Sequence, residues 1–262
     1  MIQPTFYLPH GGGPCFFMDD PHGTWAGMAA FLRELHTRLP ERPQAIIVVS
    51  GHWETRGGLA VTGAAQPPLV YDYYGFPPHT YALRYDAPGA PALAAEVASL
   101  LQAAGLPTTV DAGRGYDHGV FIPLKVAFPG ADVPVLELSL DARLDAGLAL
   151  AAGRALAPLR ARGVLLLGAG MSFHNLRALG DPRATAPSLA FDQWLDDAAS
   201  LTGAARRERL AGWADAPAAR ICHPRPEHLL PMMFAAGACE GPGQRVYGER
   251  VLQVAISGFR FD

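Results

Sequence analysis

The sequence is poor in cysteine, in charge and in long apolar runs, and each shortage excludes something. Cys15, Cys222 and Cys239 are the only cysteines among 262 residues. Three are too few for a disulfide framework, and none lies in a Cys-x-x-Cys pair, so a reducing compartment is expected and each is read as a small buried apolar residue. Charged residues make up 17% and the formal charge is −3, which offers no basic surface for nucleic acid. The longest apolar stretch, around Ala146 to Ala157, is broken by glycine and arginine and falls short of a membrane span. The start, MIQPTFYLPHGGG, has neither the basic head nor the apolar run of a secretory signal. A cytoplasmic protein with no membrane partner is expected. Two nucleotide signatures are missing as well: no Gly-Lys-Ser/Thr, and no spaced G-x-G-x-x-G opening a helix. There is no G-x-S-x-G elbow, and the adjacent serine and histidine of GAGMSFHN do not by themselves form a hydrolase triad.

What is plentiful is turn chemistry and apolar sequence. The 24 prolines and 29 glycines mark many element ends, and half of the residues are hydrophobic. Short runs of leucine and β-branched residues at Thr5–Leu8, Ala45–Ser50, Val133–Leu138, Val164–Leu167 and Val251–Ile256 do not alternate with polar residues, the pattern of strands covered on both faces. Leu59–Thr62 is a further candidate. Between them, helical spacing covers Trp25–Leu39, Ala90–Ala104, Leu144–Ala161 and Pro187–Leu201. Strands alternating with helices predict an α/β domain around a mostly parallel sheet. The length allows one large domain or two small ones, and without a linker or repeat a single domain over residues 1–262 is the simpler expectation. The segment Gln66–Tyr85 reads as a long ordered loop, too aromatic for disorder.

The nine histidines are distributed unevenly over these elements. His10 follows the first strand in LPHGGGP, His52 the next in IIVVSGHW, and His174 the run VLLLGAGMSFHN. Parallel sheets bind ligands beyond the carboxyl ends of their strands. Any one of these imidazoles could be an ordinary turn residue; three of them at one sheet edge, with glycines that permit close approach, indicate a site. His118 lies in GYDHGVFIPL before an apolar helical start. His228 lies in HPRPEHLLPMM, where Pro226 suits a helix start and places Glu227 and His228 in its first turn. His22, His36, His79 and His223 have weaker contexts. Glu54, Asp117 and Glu227 are acidic neighbours, each readable as a carboxylate that fixes an imidazole tautomer or as a cap or surface group.

HGGGP, SGHW, YDHG, GAGMSFHNL and PEHLLP, in this order, together with YDYYGFP and GFPPHTYALRYDAPGAPALA, resemble the class III extradiol ring-cleavage dioxygenases, specifically the DOPA 4,5-dioxygenase-like branch. The resemblance runs from Leu8 to the end of the chain. It implies a three-layer α/β/α fold, commonly as a homodimer. It implies His10, His52 and His228 as metal ligands, His174 as the proposed base or an additional ligand, and His118 as the second catalytic histidine. Ring-cleaving relatives outside this branch use two histidines and a carboxylate. Here Glu227 and His228 are adjacent, and neighbours on a helix point about 100° apart, so both cannot readily be ligands; the resemblance implies His228, because the DOPA-like branch puts histidine there.

The expected activity is insertion of O2 into a catechol-type ring at non-haem Fe(II), with Zn(II) able to occupy the same three-histidine set. Fe(II) would leave coordination positions for catechol and O2, a neutral His174 would take a hydroxyl proton, and His118 would donate one or hold dioxygen. Tyr73, Tyr74 and Phe76 are candidate ring-pocket residues, and His79, Arg84, Arg177 and Arg225 candidate partners for the substrate's side chain. Two rival readings are a non-enzymatic metal-binding relative on the same fold and a zinc hydrolase with Glu227 or Asp117 as base.

Overall fold

The computed structural model describes residues 1–262. Eight strands form one sheet: β1 (Thr5–Pro9), β2 (Ala45–Thr55), β3 (Leu59–Thr62), β4 (Thr108–Asp111), β5 (Val135–Asp141), β6 (Val164–Gly170), β7 (Gly243–Val251) and β8 (Val254–Phe261). Their order is β4-β3-β5-β2-β6-β1-β8-β7. The central four, β5-β2-β6-β1, are parallel to one another. The sheet turns antiparallel on both flanks, where β3 meets β5 and where β8 meets β1 and β7. Every residue of β1, β5 and β6 is buried, as expected for strands covered on both sides.

The helices are α1 (Ala26–Arg33), α2 (Pro91–Ala103), α3 (His118–Ala127), α4 (Ala146–Leu156), α5 (Thr185–Ser200), α6 (Gly203–Ala211), α7 (Ala219–Cys222) and α8 (Leu230–Gly237). α3 and α8 both pack over β2 and β6 without packing on each other, so they lie on opposite faces; α1 joins α3, while α4 joins α8 and is followed by α2. This is the three-layer α/β/α arrangement. One continuous core of 71 buried residues runs through both layers.

Several expected boundaries moved, each for a local reason. The strand expected at Val251–Ile256 is two strands: Leu252 and Gln253 take positive φ (45° and 70°) and turn β7 back into β8. The helix expected from Trp25 to Leu39 ends at Arg33 and continues as a 3-10 turn, and that expected to Ala161 ends at Leu156 in the same way. Pro226 does not open a helix: Glu227 and His228 sit in a turn, and α8 begins at Leu230 with Pro231 in its first turn. β2 runs past Ser50 to Thr55 through a register shift between Val49 and Glu54, which puts His52 inside the strand's irregular end and not after it. The segment Gln66–Tyr85 is a loop with one 3-10 turn, Pro78–Ala82. No helix is long and apolar enough to cross a membrane.

Candidate metal centre

Because β1, β2 and β6 run in the same direction, their carboxyl ends emerge at one edge, and the backbone there is pinned. His10 N donates to Gly170 O (3.1 Å), so the residue after β1 is tied to the end of β6. The turn at 227–228 is lowered onto this edge: Tyr7 Oη donates to His228 O (2.7 Å) and Met171 N donates to the same oxygen (3.1 Å). Gly170 makes this possible, since a Cβ there would lie 2.1 Å from His228 O. Gly119 does the same for α3, where a Cβ would meet Ser50 Oγ at 2.4 Å and His52 Cδ2 at 2.9 Å. His174 arrives four residues beyond β6, with its N–H donating to Cys222 O (3.0 Å).

All five histidines named from the sequence come together. The donor atoms of His10, His52 and His118 lie within 4.8 Å of one another, as do those of His174, Glu227 and His228. A contact of 3.1 Å between His52 Nε2 and His228 Nε2 joins the two groups. Metal–imidazole bonds of about 2.0–2.1 Å place ring centroids roughly 4.5–5.2 Å apart for bond angles between 90° and the tetrahedral value. The pairs His10–His52 (5.0 Å), His10–His228 (5.1 Å) and His52–His228 (4.6 Å) fall in that range. His52–His118 (3.9 Å) and His10–His118 (5.5 Å) do not. His174 stacks on His228 at 3.4 Å with 19° between planes. One ion cannot lie in the planes of two nearly parallel rings, so in this arrangement His174 and His228 cannot both bind it.

The protonation pattern also suits a cation. His10 Nδ1 lies 2.9 Å from Gly11 O and must carry its hydrogen there, which leaves Nε2 as a lone pair. That Nε2 is buried and has no partner. His228 Nδ1 faces Glu227 Oε1 at 3.0 Å and His52 Nδ1 faces Asp72 Oδ2 at 3.7 Å. The His228 ring, protonated on Nδ1, therefore turns its Nε2 lone pair to Nε2 of His52 at 3.1 Å, a spacing that also suits two ligands of one cation. Burial, and after it the neighbouring imidazoles, pushes His10, His52 and His228 well below the usual histidine pKa. They are neutral, the form that ligates metal.

Of the three acids expected beside the histidines, only Glu227 contacts one. Glu227 does reach the imidazoles, through Nδ1 of His228 and through Nδ1 of His174 at 3.2 Å. The 100° separation argued for a helix does not apply in a turn. Asp72, unnoticed in the sequence, accepts from His118 Nδ1 (2.8 Å) and from the His118 backbone N–H (2.9 Å). Its signal was present, an acid inside the aromatic run YDYYGFP of an ordered loop. Glu54 instead pairs with Arg225 through both carboxylate oxygens (2.6 and 2.5 Å). Asp117 accepts from Ser50 Oγ and Arg114 and touches no imidazole.

The loop supplies an aromatic wall. Tyr73 is buried and packs edge-on to His118 (5.7 Å) and Phe76 (5.5 Å), whereas Tyr74 is 91% exposed and points away. Among the side-chain partners considered, Arg84 is paired with Asp86 on the surface, Arg177 is exposed, and His79 Nε2 faces Phe17 O at 3.0 Å. Arg225 alone adjoins the cluster, 3.4 Å from Glu227 Oε2. His223 is buried against Ser172 O (2.9 Å), His36 is bonded to Arg33 O, and the three cysteines are free and buried.

Known proteins share this architecture and sequence. Residues 4–257 match the family described as the catalytic LigB subunit of aromatic ring-opening dioxygenase. The chain is 38% identical to "Dioxygenase tasH" of Hapsidospora irregularis, over 97% of this chain and 84% of that protein. It is 36% identical to "4,5-DOPA dioxygenase extradiol" of Beta vulgaris (90% and 87%) and to the Escherichia coli protein of the same name (91% and 86%). The crystal structure of an uncharacterized Escherichia coli K12 protein, JW3007, superposes with a TM-score of 0.78 at 30% identity, covering 99% of this chain and all of that one. With an α/β/α sheet, five converging histidines and this match along nearly its whole length, the chain belongs to the LigB family and is an enzyme of the metal-dependent, aromatic ring-opening dioxygenase class.

Proposed function

We propose that residues 1–262 act as one catalytic domain that opens a catechol-type ring by the extradiol route, with ferrous iron held by His10, His52 and His228. The observation that carries the reading is the convergence of three buried imidazoles at ligand spacing, two of which, His10 and His228, have Nδ1 turned to an acceptor and Nε2 left free to bind. Bound there, Fe(II) would bring catechol and O2 together and supply the electron transfer that neither partner manages alone.

The chain's own groups supply the rest. His174 is the base: its Nδ1 is turned to Glu227, which leaves Nε2 to take the proton of a catechol hydroxyl. The imidazolium so formed is stabilised by the Glu227 carboxylate. Its stacking on His228 keeps it beside the ligand set without joining it. His118 is held in the Nδ1–H form by Asp72, so its Nε2 faces the site as acceptor or, once protonated, as donor to a departing oxygen. Tyr73 and Phe76 form an apolar side against which a flat ring can rest.

Zinc in the same site with a hydrolytic role is the weaker reading. A hydrolase needs a free carboxylate base, and both candidates are engaged, Glu227 with His174 and His228 and Asp117 with Ser50 and Arg114. Oxygen consumption separates the two. Protein loaded anaerobically with Fe(II) and given catechols of varied side chain should take up O2 and form a yellow ring-opened product with at least one of them. Turnover of an ester or amide without O2 uptake would overturn the reading.

A further inference from the structure

The two carboxylates at the site are arranged alike. Asp72 contacts Nδ1 of His118 at 2.8 Å and lies 3.7 Å from Nδ1 of His52. Glu227 contacts Nδ1 of His228 at 3.0 Å and of His174 at 3.2 Å. Each therefore lies beside one histidine read above as a ligand and one read as handling protons, Glu227 at hydrogen-bond distance from both and Asp72 from His118, with His52 in its field at 3.7 Å. No other carboxylate reaches an imidazole of the cluster: Glu54 is occupied by Arg225, and Asp117 by Ser50 and Arg114. We propose that Asp72 and Glu227 are matched positioning residues, each locking one ligand imidazole and one proton-handling imidazole in the Nδ1–H tautomer so that all four Nε2 atoms turn inward.

Several observations support this. A carboxylate oxygen at hydrogen-bond distance from an imidazole nitrogen accepts from it, so Nδ1 of His118, His174 and His228 carries the hydrogen. The two are also carried by unrelated parts of the chain. Asp72 comes from the 66–85 loop and takes the first backbone N–H of α3 as well. Glu227 comes from the turn before α8, steadied by Arg225, which is itself bridged to Glu54. His10 stands apart, because its Nδ1 uses the carbonyl of Gly11. It serves as an internal control.

The proposal rests on the ligand and proton-handling roles given above, and its test reads the tautomers without metal or substrate. In metal-free protein carrying ¹⁵N-labelled histidine, at about pH 8 where free imidazole is neutral, long-range ¹H–¹⁵N spectra identify the protonated nitrogen of each ring. Wild type should show Nδ1–H at His52, His118, His174 and His228. Asp72→Asn should disturb His118 and His52 alone, Glu227→Gln His174 and His228 alone, and neither His10. Zn(II) affinity, read by chelator competition, should fall about 10–100-fold in each variant, and kcat should fall further than metal loading accounts for. Should a substitution prevent folding, the wild-type spectrum itself decides, since Nε2–H at any of the four rings contradicts the arrangement. Tautomers unmoved by both substitutions, or Zn(II) affinity unmoved in both, overturn the proposal. If the ring-cleavage reading failed, the tautomer result would still stand.

Discussion

Of the places where the chain buries strongly polar groups, two are satisfied in opposite ways: the histidine cluster at the ends of β1, β2 and β6, and the guanidinium of Arg206. Arg206, on α6, is fully buried and donates to the carbonyls of Ala236, Cys239, Gly241 and Leu201 while lying 5.1 Å over the Phe261 ring. The terminal nitrogens there meet acceptors, Nε alone lacking one, and the result is structure. At the cluster, outward nitrogens meet carboxylates or a carbonyl, but inward nitrogens meet only one another. A buried polar group with its partners present holds a fold together. A set of buried imidazole nitrogens turned toward one another suits a cation.

Substitutions at the two places should therefore fail differently. The largest effect is expected from His52→Ala, which removes one of three inward Nε2 atoms. Metal affinity should drop by more than the 10–100-fold typical of an outer partner, and O2 uptake with it, while the midpoint of denaturant unfolding of the metal-free protein changes little. His174→Ala should retain stoichiometric metal and lose about 10²- to 10⁴-fold in kcat, the range of a general base; unchanged turnover would remove the base assignment. Arg206→Met reverses the pattern. Stranding buried carbonyls that otherwise cost about 1–3 kcal/mol each, it should destabilise the protein by about 3 kcal/mol or more in a denaturant titration, with metal affinity of the folded fraction unaltered.

Acid should sharpen the contrast on a smaller scale. His223 is buried beside the cluster but turned to Ser172 O, and burial lowers its pKa to about 4. Unfolded, it titrates near 6.5. Below that pH the unfolded chain takes up a proton that the native state refuses, so stability falls as pH drops from about 6.5 to about 4 and this contribution levels off below. The loss from His223 is about 3 kcal/mol. It should appear in unfolding curves of metal-free wild type and be missing from the pH slope of His223→Gln. The lowered pKa values of His10, His52 and His228 act in the same direction, and bound metal, which keeps those rings unprotonated in the native state, should preserve that slope until protons displace it.

Much of this was legible in the sequence, and the parts that were not share a cause. The buried strands announced themselves because unbroken aliphatic runs have few other uses, and a histidine after such a run in a parallel sheet has a defined place to go. His10, His52, His174, His118 and His228 all reached the site. The hairpin was misread because residues 251–256 form an apolar run across a turn that uses Leu252 and Gln253 where glycine or asparagine is usual. The turn at Glu227 was misread as helix because proline opens both. Asp72 went unnoticed because a carboxylate's partner in a loop depends on how the loop folds back, and nothing in the neighbouring residues records that. Local pattern carries elements; it does not carry contacts between distant turns.

The most direct test of the account is where a metal settles. In crystals of protein loaded with one equivalent of Zn(II), anomalous difference density should show a single peak within bonding distance of Nε2 of His10, His52 and His228, with His174 stacked alongside and unbound. A peak ligated instead by His174, Glu227 and His228, or by His10, His52 and His118, would contradict it.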